Sequence, residues 1–84
     1  MSQNDCIILK VLTPEKELVR KMVSKVSLPG TRSPFMVLRN HAPLITSLEQ
    51  GYVRYTSGSE EGSIAIKSGF VEVKDNMVTV CAEV

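Results

Sequence analysis

His41 is the single histidine of the chain, and it lies in Asn40-His41-Ala42-Pro43-Leu44-Ile45-Thr46, the stretch that composition alone explains least. Histidine is the commonest general base, yet it needs a nucleophile within hydrogen-bond reach and a third group that orients its ring. Neither is supplied in a recognisable frame. Ser57, Ser59 and Ser68 stand near glycines but in no Gly-x-Ser-x-Gly pattern, and neither Cys6 nor Cys81 has a local partner of the right type. No Gly-x-Gly-x-x-Gly or Gly-x-x-x-x-Gly-Lys-Ser/Thr segment is present to cradle a phosphate. Two cysteines without Cys-x-x-Cys spacing, together with one histidine, are too few for a four-ligand zinc site. The expectation is a non-catalytic protein without metal or cofactor. Because Asn and Pro are turn formers, the stretch by itself reads as a solvated turn.

Nucleic acid is the other chemistry to weigh. Lys and Arg number 10 against 9 Asp and Glu, and the resulting net charge of +1 is scattered along the chain. Phosphate-driven binding needs a clear basic excess on one face. Tyr52, Arg54 and Tyr55 come nearest to the aromatic and basic face of a small oligonucleotide-binding barrel. Strand parity puts Tyr52 and Arg54 on one face and Val53 and Tyr55 on the other, so the second stacking platform is missing. A small β-barrel that binds single-stranded nucleic acid is therefore the alternative reading, and no nucleic acid is expected as the main partner.

These residues must be positioned by one domain, since 84 residues allow no more and remove roughly 60% of the unfolded surface from water. Apolar residues are 43% and charged residues 23%, ordinary values for a soluble globular chain. No apolar run exceeds the four residues of Cys6–Leu9, far from the ~20 needed to span a bilayer. Met1–Asp5 has neither the basic and apolar regions of a signal peptide nor the Arg-rich character of a transit peptide, so the chain is expected to stay where it is made. The cysteines read as buried free thiols, the alternative being a disulfide that pins the first strand to the last.

The elements are strands. Cys6–Leu12 is β-rich and apolar on both faces, as in a sandwich core, and Thr13-Pro14 ends it. Leu18–Leu28 carries apolar residues four apart, a helical period, but Arg20-Lys21 interrupts it and Val23–Leu28 alternates with β-branched residues, so two short strands meet at a kink. Leu28–Pro34 is a loop by its own chemistry, with two prolines and a glycine. Phe35–Leu38 resumes a strand, Arg39–Pro43 breaks it, Leu44–Leu48 begins another and Gly51–Tyr55 alternates cleanly. Ser57–Gly62 reads as a polar hairpin loop, and the last third as three strands over 63–67, 69–74 and 77–82 with an Asp75-Asn76 turn. About nine strands without a convincing helix predict an all-β fold, an antiparallel β-sandwich of two sheets or a barrel.

The ordered set of turns matches one family. Thr13-Pro14-Glu15, Leu28-Pro29-Gly30, Phe35-x-Val37-Leu38-x-Asn40-His41-Ala42-Pro43-Leu44-Ile45-Thr46-x-Leu48, Gly51, Ser68-Gly69-Phe70-Val71-Glu72-Val73 and Asn76-x-Val78-Thr79-Val80 resemble the epsilon subunit of F-type ATP synthases, in the right order over almost the whole chain. The resemblance implies a flattened sandwich of two antiparallel sheets at the foot of the rotating central stalk. It implies no bond-making: the domain grips the gamma subunit and the ring of c subunits, so that proton-driven rotation turns gamma without slip. By position, Thr31, Arg32, Ser33 and Pro34 would face the c ring, and His41, Ala42, Pro43 and Thr46 the gamma subunit. The protein would sit peripherally at the cytoplasmic face of the bacterial inner membrane, held there through the complex and not as a homo-oligomer.

The sequence departs from the family pattern where Ser33-Pro34-Phe35-Met36 replaces a glycine-containing, usually acidic or polar loop, so Arg32 would bring a charge of opposite sign. Arg39 stands where proline is usual and Lys67 where an apolar residue is. The family usually continues into a helical hairpin that regulates ATP hydrolysis. With Val84 as its end, the chain would be a short form limited to coupling and assembly.

Overall fold

Ile7, Leu9 and Val11 alternate with Ile8, Lys10 and Leu12, and in the computed structural model the first set is fully buried while the second is half-buried. Residues 6–84 are described; Met1–Asp5, read above as lacking targeting character, lie outside them. Nine strands follow in order: β1 Ile7–Leu12, β2 Glu17–Val23, β3 Lys25–Leu28, β4 Phe35–Val37, β5 Leu44–Leu48, β6 Gly51–Ser57, β7 Glu60–Ile66, β8 Ser68–Lys74 and β9 Met77–Glu83. They form a five-stranded sheet, β2-β1-β9-β8-β5, and a four-stranded sheet, β4-β3-β6-β7. The expected two-sheet sandwich is what forms, flattened to 32 × 25 × 17 Å.

One pairing departs from the antiparallel expectation. β1 and β9 run parallel, from Ile8 opposite Met77 to Leu12 opposite Cys81, whereas every other strand pair is antiparallel. Strands so far apart in sequence are joined by no hairpin, so nothing local dictates their sense. The same register decides the cysteines. Cys81 faces Leu12, so Cys6 lies six strand residues away, about 20 Å at ~3.3 Å per residue. A disulfide needs Cα atoms within about 7 Å. None joins them, and both side chains are half-buried rather than buried.

β2 runs unbroken through Arg20-Lys21, and the kink expected in 18–28 falls at Ser24. There the chain leaves one sheet for the other: β2 belongs to the five-stranded sheet and β3 to the four-stranded one. Inward parity reverses across this residue, from Val23 to Val26 and Leu28, because the inner faces of the two sheets point at each other. Ser24 N–H donates to the Thr56 carbonyl at 2.8 Å and Ser57 Oγ donates to the Met22 carbonyl at 2.9 Å, satisfying backbone groups that the switch releases from the ladder. Arg20 instead extends outward to Glu17, Nε to Oε1 at 3.0 Å, as an exposed charged pair on an edge strand.

The polar loop expected over Ser57–Gly62 is shorter: β6 and β7 are joined by Gly58-Ser59 alone, with Gly58 at φ 62°. A positive φ at the first central residue is what a tight two-residue hairpin turn demands. Gly62 pairs with Tyr55, whose ring covers it and would collide with any Cβ there.

Gly69 meets a harder constraint, since an added Cβ would overlap the Cys81 carbonyl oxygen and lie 3.0 Å from Ala82 Cα, both backbone atoms of the neighbouring strand. Gly69→Ala is expected to destabilise the domain by about 2 kcal/mol, lowering the thermal midpoint by ~10 °C. Calorimetry of the variant checks this; a midpoint within 2–3 °C of the parent, roughly the scatter of small surface changes, would contradict the packing read at this strand.

Candidate functional site

Chain reversal between β4 and β5 is carried by residues 38–43. Asn40 takes φ 63°, a left-handed conformation that Asn tolerates better than other side chains, and His41 N–H donates to the Leu38 carbonyl at 3.2 Å to close the turn. A second turn, Asp75-Asn76 between β8 and β9, has φ 51° and 59°, the pattern of a type I′ hairpin. The two turns are joined. Asn40 N–H donates to Asn76 Oδ1 at 2.6 Å, and Asn76 Nδ2 donates to Asn40 Oδ1 at 3.1 Å. A backbone N–H can only donate, so both amide orientations follow from that first bond.

His41 is half-buried, with Nδ1 2.7 Å from the Ala42 carbonyl oxygen. A carbonyl can only accept, so Nδ1 carries the proton and the ring is oriented by its own turn. Its ring makes no hydrogen bond to a carboxylate, serine or cysteine among the described residues, and the catalytic arrangement sought in the sequence does not assemble around it. Nor do three or more His, Cys, Asp or Glu side chains gather into a metal-binding group among the described residues.

The loop between β3 and β4 is anchored at the other end of β5. Gly30 bridges to Leu48, Thr31 N–H donates to the Ser47 carbonyl at 3.2 Å, Glu49 N–H donates to the Pro29 carbonyl at 2.9 Å, and the Thr31 and Ser47 hydroxyls lie 2.8 Å apart. Glycine is needed at 30 because a Cβ would crowd the Ser33 carbonyl oxygen at 2.6 Å and the Phe35 ring at 3.0 Å. Beyond this anchor Arg32, Ser33 and Pro34 project into solvent.

The two groups of residues singled out in the sequence are therefore separate, one at each end of an edge strand, about 14 Å apart at ~3.4 Å per residue. Thr31, Arg32, Ser33, Pro34, Ala42 and Pro43 are exposed. Thr46 is not: it stands opposite the fully buried Val71 on the inward face of β5, half-buried beside Leu44 and Leu48. The outward residue is Ile45, 71% exposed, which the sequence reading passed over. Its signal was present in the alternation Leu44-Ile45-Thr46-Ser47-Leu48, which sets an isoleucine on the face that Ser47 shares.

The outer faces of the two sheets differ. On the five-stranded sheet Leu12, Cys81 and Phe70 lie side by side, and Met22, Ile8 and Met77 form a second apolar row, with Arg20, Lys10, Thr79 and Glu72 between them. The four-stranded sheet presents Lys25, Ser27, Arg54, Thr56, Glu61 and Ser63 around a polar cleft. On that second face the Arg54 guanidinium sits 5.4 Å from the centre of the Tyr52 ring, covering it, while Tyr55 packs inward against the core with Lys21 Nζ at 5.8 Å. Tyr52 is therefore the single exposed ring of the pair, 55% accessible, and the two-ring platform that the nucleic-acid alternative required does not form.

A family model described as the ATP synthase delta/epsilon chain β-sandwich domain matches residues 6–84. The ATP synthase epsilon chain of Desulfitobacterium hafniense is 44% identical over 75 residues, covering 89% of this chain and 57% of that protein. That of Carboxydothermus hydrogenoformans is 45% identical over 78 residues, covering 93% and 58%. The chain thus spans somewhat more than half the length of these curated relatives. Among solved structures, a chain of the Euglena gracilis mitochondrial ATP synthase (OSCP/F1/c-ring) superposes with a TM-score of 0.85 at 21% identity, covering 93% of this chain and 51% of that one. A chain of the Tetrahymena thermophila mitochondrial ATP synthase central stalk and c-ring gives 0.79 at 14% identity, covering 99% and 67%. At these identities the superpositions establish a shared fold.

The hydroxyl contact that anchors the β3–β4 loop is open to a double-mutant cycle. Thr31→Ala and Ser47→Ala are each expected to cost less than about 1 kcal/mol in urea unfolding, with a coupling of ~0.5–1 kcal/mol between them. Strictly additive losses would mean that the hydroxyls do not hold the loop.

Proposed function

The chain belongs to the ATP synthase delta/epsilon chain family as its β-sandwich domain, and from that premise we propose that it is a non-catalytic rotor subunit of the central stalk. It binds the gamma subunit and the c ring and couples proton-driven rotation to ATP synthesis. The observation that carries this reading is the family match over residues 6–84. The separation of two exposed segments to opposite ends of β5 supports it, because a coupling domain must hold two partners at once. Arg32 with Thr31, Ser33 and Pro34 meets the c ring, and the His41-Ala42-Pro43 turn, together with Thr46 of β5, meets gamma.

Transmitting torque needs a body that does not yield. The core supplies it: Ile7, Leu9, Val11, Val53, Val71 and Val80 are completely buried, and interiors packed to this degree do not deform continuously. No helix among the described residues is long and apolar enough to cross a membrane. In this reading the contact with the bacterial inner membrane, at its cytoplasmic face, is indirect and runs through the c ring.

The test is capture of the chain by gamma and by the c ring, separately and together. Ala42→Glu, a change at an exposed turn position, is expected to leave stability within ~0.5 kcal/mol and to abolish capture by gamma. Arg32→Glu should weaken capture by the c ring and spare gamma. A parent chain that gamma ignores would sink the proposal.

A further inference from the structure

We propose that Asn76, which lies outside the turn assigned to the gamma contact, is a positioning residue for that contact; the inference rests on the function proposed above. Among the described residues, the two bonds between Asn40 and Asn76 are the only hydrogen bonds that tie residues 38–42 to another element. Asn76 is itself anchored to the body of the sheet, since its carbonyl accepts Ile8 N–H at 2.9 Å and Ile8 belongs to β1, an interior strand of the five-stranded sheet. The side chain thus connects the body of the sandwich to a turn that would otherwise be held only by its own closing bond and by the strands on either side.

Asparagine is the side chain that meets all the demands at this position. It tolerates φ 59°, presents an oxygen to the Asn40 N–H and presents an N–H to Asn40 Oδ1. Aspartate keeps the acceptor for the Asn40 N–H, and its second oxygen can accept from Asn40 Nδ2 once the Asn40 amide turns over. Glycine keeps the backbone conformation and loses both bonds. Without the clamp, His41, Ala42 and Pro43 still follow β4 and precede β5, but their shape is no longer imposed by the hairpin at 75–76. A partner that reads this shape must then order the turn as it binds, which lowers affinity.

The experiment uses the full chain and measures gamma and c-ring affinities beside hydrogen exchange of the Asn40 amide. Asn76→Gly is expected to retain the fold, abolish protection of the Asn40 amide and weaken gamma binding about tenfold, on the scale of two ordinary hydrogen bonds. Binding to the c ring, at the far end of β5, is expected to be unchanged. Asn76→Asp, which retains the acceptor for the Asn40 N–H, should stay near the parent, and adding Asn40→Gly to Asn76→Gly should cause little further loss, since both remove the same link. Val53→Ala, a cavity in the opposite sheet, lowers the thermal midpoint and leaves gamma affinity intact, separating positioning from stability. Gamma binding by Asn76→Gly as tight as that of the parent overturns the positioning role alone, whereas a parent chain that ignores gamma overturns it together with the function on which it rests.

Discussion

Two sheets that bury their apolar sides against each other impose one constraint on the chain: whatever faces inward in one sheet must face the opposite way in the other. The chain passes between sheets at Ser24, through residues 38–43, at Glu49-Gln50 and at Lys67, and each passage must re-aim the side chains that follow. At Ser24 and Lys67 a single residue does this. The buried set shifts from Val23 to Val26 and Leu28, and from Ile66 to Val71 and Val73, so that both sets meet in one core. A residue added to or removed from either passage would send the next strand's valines to solvent.

The longer passages are where the surface acquires its features. The crossing through 38–43 takes six residues, and that length becomes a turn whose backbone enters the left-handed region at Asn40. Crossing at Glu49-Gln50 brings β5 beside the tail of β3, where Pro29, Gly30 and Thr31 bond to residues 47–49. β5 is thereby clamped at both ends, by the Thr31 and Pro29 bonds at one and the Asn40–Asn76 pair at the other. The exposed segments at the two ends of β5 are by-products of how the sandwich closes, held by short polar contacts.

This division of labour is the one that the proposed rotor role asks for. Apolar packing between sheets makes the body stiff, while the exposed hydrogen bonds at the edge are each worth only about 1 kcal/mol and set local shape. The outer face of the five-stranded sheet, with its apolar rows of Leu12, Cys81 and Phe70 and of Met22, Ile8 and Met77, contrasts with the polar outer face of the other sheet. The domain is therefore two-faced as well as two-ended.

Much of this was legible in the residues. Alternation identified the strands, Asp75-Asn76 announced its turn, the opposite parities of Tyr52 and Tyr55 separated them correctly, and the ordered turns from Leu28 to Val80 carried the family. The loop expected over Ser57–Gly62 is longer than the turn that forms, because Glu60 and Glu61 are polar whether they lie in a turn or on an edge strand. Strand periodicity is a local property, determined by which side chains water rejects, and the sequence states it directly. Which strands become neighbours is not local. Only the closed tertiary structure decided that β1 lies parallel to β9, that Cys6 and Cys81 stand too far apart to bond, that Thr46 turns inward and Ile45 outward, and that Asn76 reaches Asn40 across 36 residues of chain. Each depends on register between segments distant in sequence, which is settled by how all the strands pack at once.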